Sequence, residues 1–559
     1  MFNNVWIESI AMKTQRVIEL QPGTVVALVG ANNSGKSHFL NQIRAELYGS
    51  AVAGVSPGQG LIDNVLVRWP DENRIDFLRQ VAEIEFPMRN GIYDVSLGPD
   101  YSAPSAYLSD QTIAQLSTQD STLGYFIEAF VRYDDPLSRI NEANPKPLTE
   151  QDSTLVQLRK QDDSFGLVRK HFERIFNEPL EFGGIEEGYV SLLMAKPEEE
   201  MPRIHEPLNA KALRYLEEAP RLHQQGLGMR NVFGLLSRLF TDSRPIVLLD
   251  EPEAFLHPPQ AKRLGETIAE ICASQGRQVF CATHDRSFMA GLASGGRSHL
   301  QIERLFKYED GGHSEAFTSE PVDSDFVAEA KNESRIRFTT ILDTLFSGVA
   351  VVVENEKDAF FFDEILTSLI EKSGGGKDWL LLDNVTFIPV SGNGNFPSTI
   401  ALLRKLKTPT LTVGDLDLIS NVKLFKGVIS SVSASGQAEL TQLVLDIHEQ
   451  FRAQLEDSGK GKVSDDKLRQ IIAKKVSVHN EDEGIAESVS RLLQCLNKTG
   501  LILIPNGELE DLYPRIQGKE EWTRRALNDG AANDPGVIDF ARILYDAVSS
   551  VLSSPNSDT

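Results

Sequence analysis

Val25-Val26-Ala27-Leu28-Val29-Gly30-Ala31-Asn32-Asn33-Ser34-Gly35-Lys36-Ser37-His38 is the stretch that decides the fold. Its first five residues are apolar, β-branched in part, and bounded by Pro22-Gly23 and Gly30, the pattern of a short buried strand. Gly30 to Ser37 fits G-x-x-x-x-G-K-[ST] without a gap. Glycines at those positions let backbone N–H groups close around the β- and γ-phosphates of a nucleotide. Lys36 supplies a point positive charge and the Ser37 hydroxyl a ligand for Mg²⁺. The helix expected over His38–Leu47 turns its positive end toward the anion. Gly30, Asn32, Asn33, Ser34, Gly35, Lys36, Ser37 and His38 are therefore the expected ATP contacts.

Outward from this loop, Ile246-Val247-Leu248-Leu249 reads as a strand ending in Asp250-Glu251. Asp250 is placed to hold Mg²⁺ through water, and Glu251 to polarise the attacking water. A strand ending in two acids is common, and the phosphate loop is what gives this one meaning. Gln278–Thr283 is another strand and leads into His284, whose imidazole can contact the γ-phosphate. Gln225-Gly226-Leu227-Gly228-Met229-Arg230 is a Gly-rich turn opening a helix expected over Asn231–Phe240. Gly226 and Gly228 can offer that helix start to a nucleotide, although a bare helix start needs no ligand.

This order of motifs resembles the ABC-type ATPases of the RecF and SMC group. The run Asp250-Glu251-Pro252-Glu253-Ala254-Phe255-Leu256-His257-Pro258 looks more specifically like the OLD (overcoming lysogenisation defect) ATPases. The resemblance implies a homodimer or higher oligomer that sandwiches ATP head to tail, with Gly226 and Gly228 acting on a neighbour's nucleotide. The segment departs from the transporter pattern in lacking Ser-Gly-Gly.

A second α/β series begins near Gly348, with buried-strand candidates Val349–Val353, Val385–Val390, Thr410–Val413 and Leu501–Ile504. The amphipathic segments Asp358–Glu371 and Ser398–Leu406 lie between strands, as a parallel sheet requires. Acids follow three of the strands: Glu354 with Asp358 close behind, Asp415 with Asp417, and Glu508 with Glu510. Ligands collect at the C-terminal ends of strands in open parallel sheets. Oxygen donors without His or Cys suit Mg²⁺ or Mn²⁺ rather than zinc. Acids after strands are also ordinary caps, so each cluster alone is weak.

The pattern resembles a Toprim domain, with Val390-Ser391-Gly392-Asn393-Gly394 where that family has a small turn. The resemblance implies that Glu354 is a metal ligand and water activator, and that Asp415 and Asp417 are ligands. It assigns Glu508 and Glu510 to a second metal and matches Lys519 to a late lysine that acts on the transition state. An OLD-type ATPase followed by a Toprim domain resembles the OLD-family nucleases of phage-defence systems, including Gabija and some retrons. DNA is then the expected substrate. A reverse transcriptase with its RNA–DNA product, or a helicase, would be the expected partner.

The 559 residues call for at least two domains, and 41 % apolar residues suffice for their cores. The expected fold class is α/β, with an ATPase domain over 1–335 holding an insertion at 50–205. A Toprim-like domain over 340–559 would hold a helical, Lys-rich insertion at 437–498 (Lys460, Lys462, Lys467, Lys474, Lys475). A net charge of −24 argues against a protein that merely coats phosphates, yet agrees with carboxylates gathered around cations. Three scattered cysteines, no signal peptide and no membrane-length apolar run predict a cytoplasmic protein. The competing expectation is a non-catalytic, ATP-driven DNA clamp or sensor. A primase fits less well, because no C-x-x-C pair exists for a zinc ribbon.

Overall fold

The computed structural model describes residues 5–48, 51–57, 60–68, 83–88, 92–96, 106–109, 131–150, 153–183, 188–194, 218–242, 244–295, 299–310, 314–322, 340–374, 379–433, 436–457, 463–519 and 521–553. The acidic segment Lys196–Glu200, Lys460, Lys462 and tail residues 554–559 lie outside the described residues. The chain forms two compact units, one built mainly from residues 1–324 and the other mainly from Asp325–Thr559.

In the first unit, Val25–Val29 forms a strand with all five residues buried. It lies inside a six-stranded sheet ordered Ser314–Val322, Leu300–Asp310, Val25–Val29, Gln278–Ala282, Ile246–Asp250, Val131–Asp134. The ladders from Leu300–Asp310 to Val131–Asp134 are all parallel. Parallel strands are covered on both faces, so the central ones read as unbroken apolar runs. Helix Lys36–Tyr48 buries Phe39, Leu40, Ile43 and Leu47 in a core with Val26, Leu28 and Leu248. An antiparallel sheet of Val17–Glu19, Trp6–Met12 and Ile62–Arg68 adds Ile7, Ile10 and Ile62 to the same core.

The stretch 50–205 contributes strands to both of these sheets. Ile62–Arg68 pairs with Trp6–Met12, and Val131–Asp134 is the edge strand beside Ile246–Asp250. Both runs mix polar with apolar residues, and their strand character comes from the neighbours they pair with. The stretch Thr154–Phe176 is two helices, Thr154–Lys160 and Asp162–Phe176, broken where Gln161 leaves the helical region.

The second unit holds a four-stranded, all-parallel sheet ordered Val385–Pro389, Val349–Val353, Thr410–Gly414, Leu501–Leu503. In chain order this is second, first, third, fourth, so the winding reverses between Val349–Val353 and Thr410–Gly414. A crevice opens at such a reversal, on the carboxyl side of the strands. Val349, Val351 and Val353 share one core with Phe361, Phe362 and Leu366 of helix Glu356–Lys372, and with Trp522 and Phe540. The Trp522 ring centroid lies 5.3 Å from that of Phe361, and Phe362 lies 5.7 Å from Phe540. Region 437–498 contains the helices Gln437–Asp457, Asp465–Lys475 and Glu483–Asn497.

Candidate functional sites

The phosphate loop uses three left-handed residues: Gly30 at φ 145°, Asn33 at 62° and Gly35 at 91°. Glycine adopts these angles without a Cβ clash, and asparagine tolerates the middle one. Ser34 is buried, and its hydroxyl has no hydrogen-bond partner among the described residues, as suits an anion-binding loop. Burial lowers the Lys36 pKa, while Glu251, Asp250 and Glu253 pull it back up. Burial also lowers the pKa of His38. The Ser37 hydroxyl donates to Asp250 Oδ1 at 3.0 Å, joining the two expected Mg²⁺ ligands. The Asp250 carboxyl is pushed up by burial, against the hydrogen bond from Ser37. Its other oxygen accepts from the Tyr133 hydroxyl at 3.4 Å.

Glu251 stands at φ 44°, a strained angle for a residue with a Cβ. Two buried side chains hold the backbone there. Arg139 donates to the carbonyls of Asp250 (3.1 Å), Glu251 (2.9 Å) and Asp134 (3.0 Å), and its Nε donates to Asn231 at 2.6 Å. Asn231 in turn donates to the carbonyls of Pro252 and Ala254, at 3.1 Å each. His284 Nδ1 lies 3.3 Å from Glu251 Oε1 on a half-exposed ring. Glu253, fully buried, accepts from the Thr283 hydroxyl at 2.6 Å, and burial pushes its carboxyl up to about 7.

Sequence reasoning named none of Tyr133, Arg139, Asn231 or Glu253 as site residues. Arg139 lies 111 positions from Asp250, and no motif spacing spans that distance. The helix expected from Asn231 runs Leu227–Thr241, so Gly228 sits in its first turn and Gly226 caps it. A Cβ on Gly228 would stand 2.4 Å from the Phe255 carbonyl oxygen, so packing within the chain already requires this glycine. Around Gly226 a Cβ would meet nothing within 4 Å.

In the second unit, Glu354 and Asp415 follow adjacent parallel strands on either side of the winding reversal. Asp417 lies one step on, in the 3-10 turn Leu416–Ser420. The loop after Leu501–Leu503 is tied to that turn, because the Leu416 N–H donates to the Gly507 carbonyl at 2.8 Å. Gly507 stands at φ 130°, and a Cβ there would lie 2.5 Å from Asp511 Oδ2, so a glycine is needed. On the other side, the Gly392 N–H donates to the Glu354 carbonyl at 3.0 Å, which fixes the Ser391-Gly392 turn against that strand end.

These carboxylates share one electrostatic field. Burial first, then Asp358, Asp417 and Glu508, push the Glu354 carboxyl up to about 7. Burial, then Glu354, Asp358, Asp417 and Glu508, push Asp415 up to about 8. Asp417 is raised by burial and Glu508, with Lys519 opposing. Asp417 Oδ1 is buried with no hydrogen-bond partner among the described residues. An orphaned carboxylate oxygen amid mutually repelling acids, with only oxygen donors nearby, fits a hard divalent cation. The fit is not that of a finished cage, since among the described residues no three His, Cys, Asp or Glu side chains already stand close enough to hold one ion.

The remaining predicted residues have local work as well. Asp358 Oδ2 accepts from the Asn355 N–H at 3.1 Å, closing a capping box at the start of helix Glu356–Lys372. Burial pushes the Asp358 carboxyl up to about 6. Glu508 accepts a hydrogen bond from Lys519 Nζ, and the Lys519 ammonium also feels Glu510 and Asp415. Glu510 lies in the 3-10 turn Leu509–Leu512 and acts on both Asp358 and Lys519.

Fold and sites together define a P-loop ATPase joined to a Toprim-type parallel sheet with a carboxylate centre. Residues 25–290 match the family described as "AAA domain, putative AbiEii toxin, Type IV TA system". Residues 345–417 match the "Overcoming lysogenization defect protein-like, TOPRIM domain". The pairing matches an OLD-family nuclease. The second match includes Glu354, Asp358, Asp415 and Asp417, while Glu508, Glu510 and Lys519 lie beyond it.

No curated protein matches the chain. Among solved structures, an SMC head bound to the C-winged helix domain of ScpA is similar at 16 % identity and TM-score 0.33, over 57 % of this chain and 98 % of that one. The SMC head domain from Thermotoga maritima is similar at 11 % identity and TM-score 0.28, over 57 % and 98 %. CbiO1 from Clostridium perfringens, part of the ABC transporter complex cbiONQ, is similar at 12 % identity and TM-score 0.25, over 54 % and 83 %. Likenesses this faint carry no argument. No helix among the described residues is long and apolar enough to cross a membrane.

Proposed function

We propose that the chain is an ATP-hydrolysing, divalent-metal-dependent DNA endonuclease or nickase, acting as an anti-phage defence effector in the cytoplasm. The observation that carries the reading is the convergence of acids from three strand ends of one parallel sheet, with Glu354 and Asp415 flanking its winding reversal. Glu354, Asp415 and Asp417 would hold Mg²⁺ or Mn²⁺, with Asp358, Glu508 and Glu510 around a second ion. Two such cations would stabilise the attacking and leaving oxygens of a phosphodiester.

Glu354, at the end of the central strand beside these ions, would also accept a proton from the attacking water. Lys519 is poised to turn from Glu508 to a phosphate oxygen. In the ATPase, Lys36 and Ser37 bind phosphate and Mg²⁺, Asp250 orients the ion, and Glu251 beside His284 activates water. Dimerisation through the ATPase domains would bring Gly226 to a neighbour's nucleotide, and a reverse transcriptase or helicase is the partner class that the family suggests.

The test is incubation of purified protein with supercoiled plasmid in Mg²⁺ or Mn²⁺, with and without ATP. Asp415→Ala is expected to abolish nicking while ATP turnover persists. Cleavage by this variant at the parent's rate would sink the site assignment. A second reading is a DNA clamp that does not cut, because among the described residues no three candidate ligands already stand close enough to hold one ion. That reading would be supported if the parent bound DNA without nicking it under every metal condition.

A further inference from the structure

A cleft of about 600 Å³ lies in the second unit, where the 3-10 turn Leu416–Ser420 meets the first turn of helix Val422–Val432. Helices Gln437–Asp457 and Asp465–Lys475 close its other sides. The volume is within the roughly 300–1,000 Å³ range of ligand pockets. Its walls carry the cations Lys423, Arg452 and Arg469 against the carboxylates Glu449 and Asp465. With His448 neutral the cleft is net positive, in a chain whose 80 acidic residues outnumber its 56 basic ones. Three cations against two carboxylates make the cleft a better host for an anion than for a cation.

The geometry makes the cations usable. His448 Nε2 lies 2.8 Å from the Ile419 carbonyl, which ties helix Gln437–Asp457 to the turn carrying Asp417. Arg452 and Arg469 both line the cleft beside that imidazole. The Arg452 pairing with Asp465 is 2.7 Å but open to solvent on both sides, at 45 % and 88 % exposure. Exposed pairs contribute little and yield readily to a phosphate that accepts two parallel N–H bonds. The cleft begins at Ser420, three positions after Asp417. At about 2 Å of rise per residue in a 3-10 turn, that is about 6 Å along the turn axis.

We propose that this cleft seats a backbone phosphate of the nucleic-acid strand flanking the phosphodiester at Glu354, Asp415 and Asp417, through Lys423, Arg452 and Arg469. The proposal rests on the nuclease reading above for the identity of the strand.

The experiment measures binding of fluorescent single-stranded and duplex DNA to the full-length protein in EDTA, across a salt series. Arg452→Gln/Arg469→Gln is expected to weaken binding at least about tenfold. The slope of log Kd against log salt should fall by about 0.7–0.9 for each phosphate that is no longer neutralised. Arg452→Lys/Arg469→Lys should restore the slope and part of the affinity, and melting curves show that each variant is folded. Arg542→Gln removes an exposed charge elsewhere in the same unit and should change neither quantity.

An unchanged Kd and slope in the double Gln variant overturns the proposal. So does an equal loss with Arg542→Gln, which would mean diffuse attraction, and so does a parent that binds neither DNA. Failure of the nuclease reading shows separately, as a parent that binds DNA but does not nick it in Mg²⁺ or Mn²⁺.

Discussion

Glu251 is held at φ 44° by hydrogen bonds to its own carbonyl and to that of Asp250, and both come from Arg139. Glu251→Gln keeps this frame and removes the proposed base, so ATP turnover should fall about 10²- to 10⁴-fold while nucleotide binding persists. A phosphate-release assay beside ATP binding checks it, and near-parent turnover would reject Glu251 as the base. Arg139→Met leaves buried Asp134 without one of its compensating cations and takes a donor from three carbonyls. Breaking such a buried charged network costs about 3–5 kcal/mol. Denaturant melts should show that loss, together with weaker turnover.

The carboxylate centre also predicts a pH dependence. Asp415 and Glu354 titrate at about 8 and about 7 in the folded chain, above the usual carboxylate range. Between that range and neutrality the folded state therefore binds protons that the unfolded state has released, so stability falls as pH rises. In EDTA, Tm should drop from about pH 5 to about pH 8, and Mg²⁺ should raise Tm more at the upper end. Asp415→Asn should flatten both trends. A Tm indifferent to both pH and Mg²⁺ would argue against a coupled, cation-seeking cluster.

At the scale of elements, helix Glu356–Lys372 begins directly behind Glu354, and its seating depends on Phe361 and Phe362 packing against Trp522 and Phe540. Trp522 is 1 % exposed, and its removal from a core of this kind costs about 3–5 kcal/mol. Trp522→Ala should lower the denaturation midpoint of the second unit and weaken its Mg²⁺ response. Nucleotide binding by the P-loop should be unaffected. A parent-like Mg²⁺ response would show that the helix does not position Glu354.

Elements also differ in how plainly the sequence announces them. Val25–Val29 and Val349–Val353 are legible because strands buried on both faces must be apolar throughout. Val131–Asp134 is not, since an edge strand of four mixed residues carries no pattern and forms only beside Ile246–Asp250. The acids after strands were visible, but not that Asp358 and Asp511 spend oxygens on caps, since that depends on how the chain turns.

Across the whole molecule, the two proposed chemistries draw on separate residue sets. Asp415→Ala should leave ATP hydrolysis near the parent level, and Lys36→Ala should abolish nucleotide binding without altering the Mg²⁺-dependent Tm shift. If either substitution silenced both readouts, the two centres would not be independent.

The sequence by itself determined the phosphate loop, the Asp250-Glu251 strand end and the three acid clusters. Each is a contiguous run, in which local backbone geometry and residue chemistry are read together. Only the tertiary structure decided the strand order that places Glu354 beside Asp415, the reach of Arg139 to the Glu251 carbonyl, and the cleft shared by Lys423, Arg452 and Arg469. Those features join residues far apart in the chain, and their pairing is set by how helices and strands bury their apolar faces, which leaves no spacing for a motif to record.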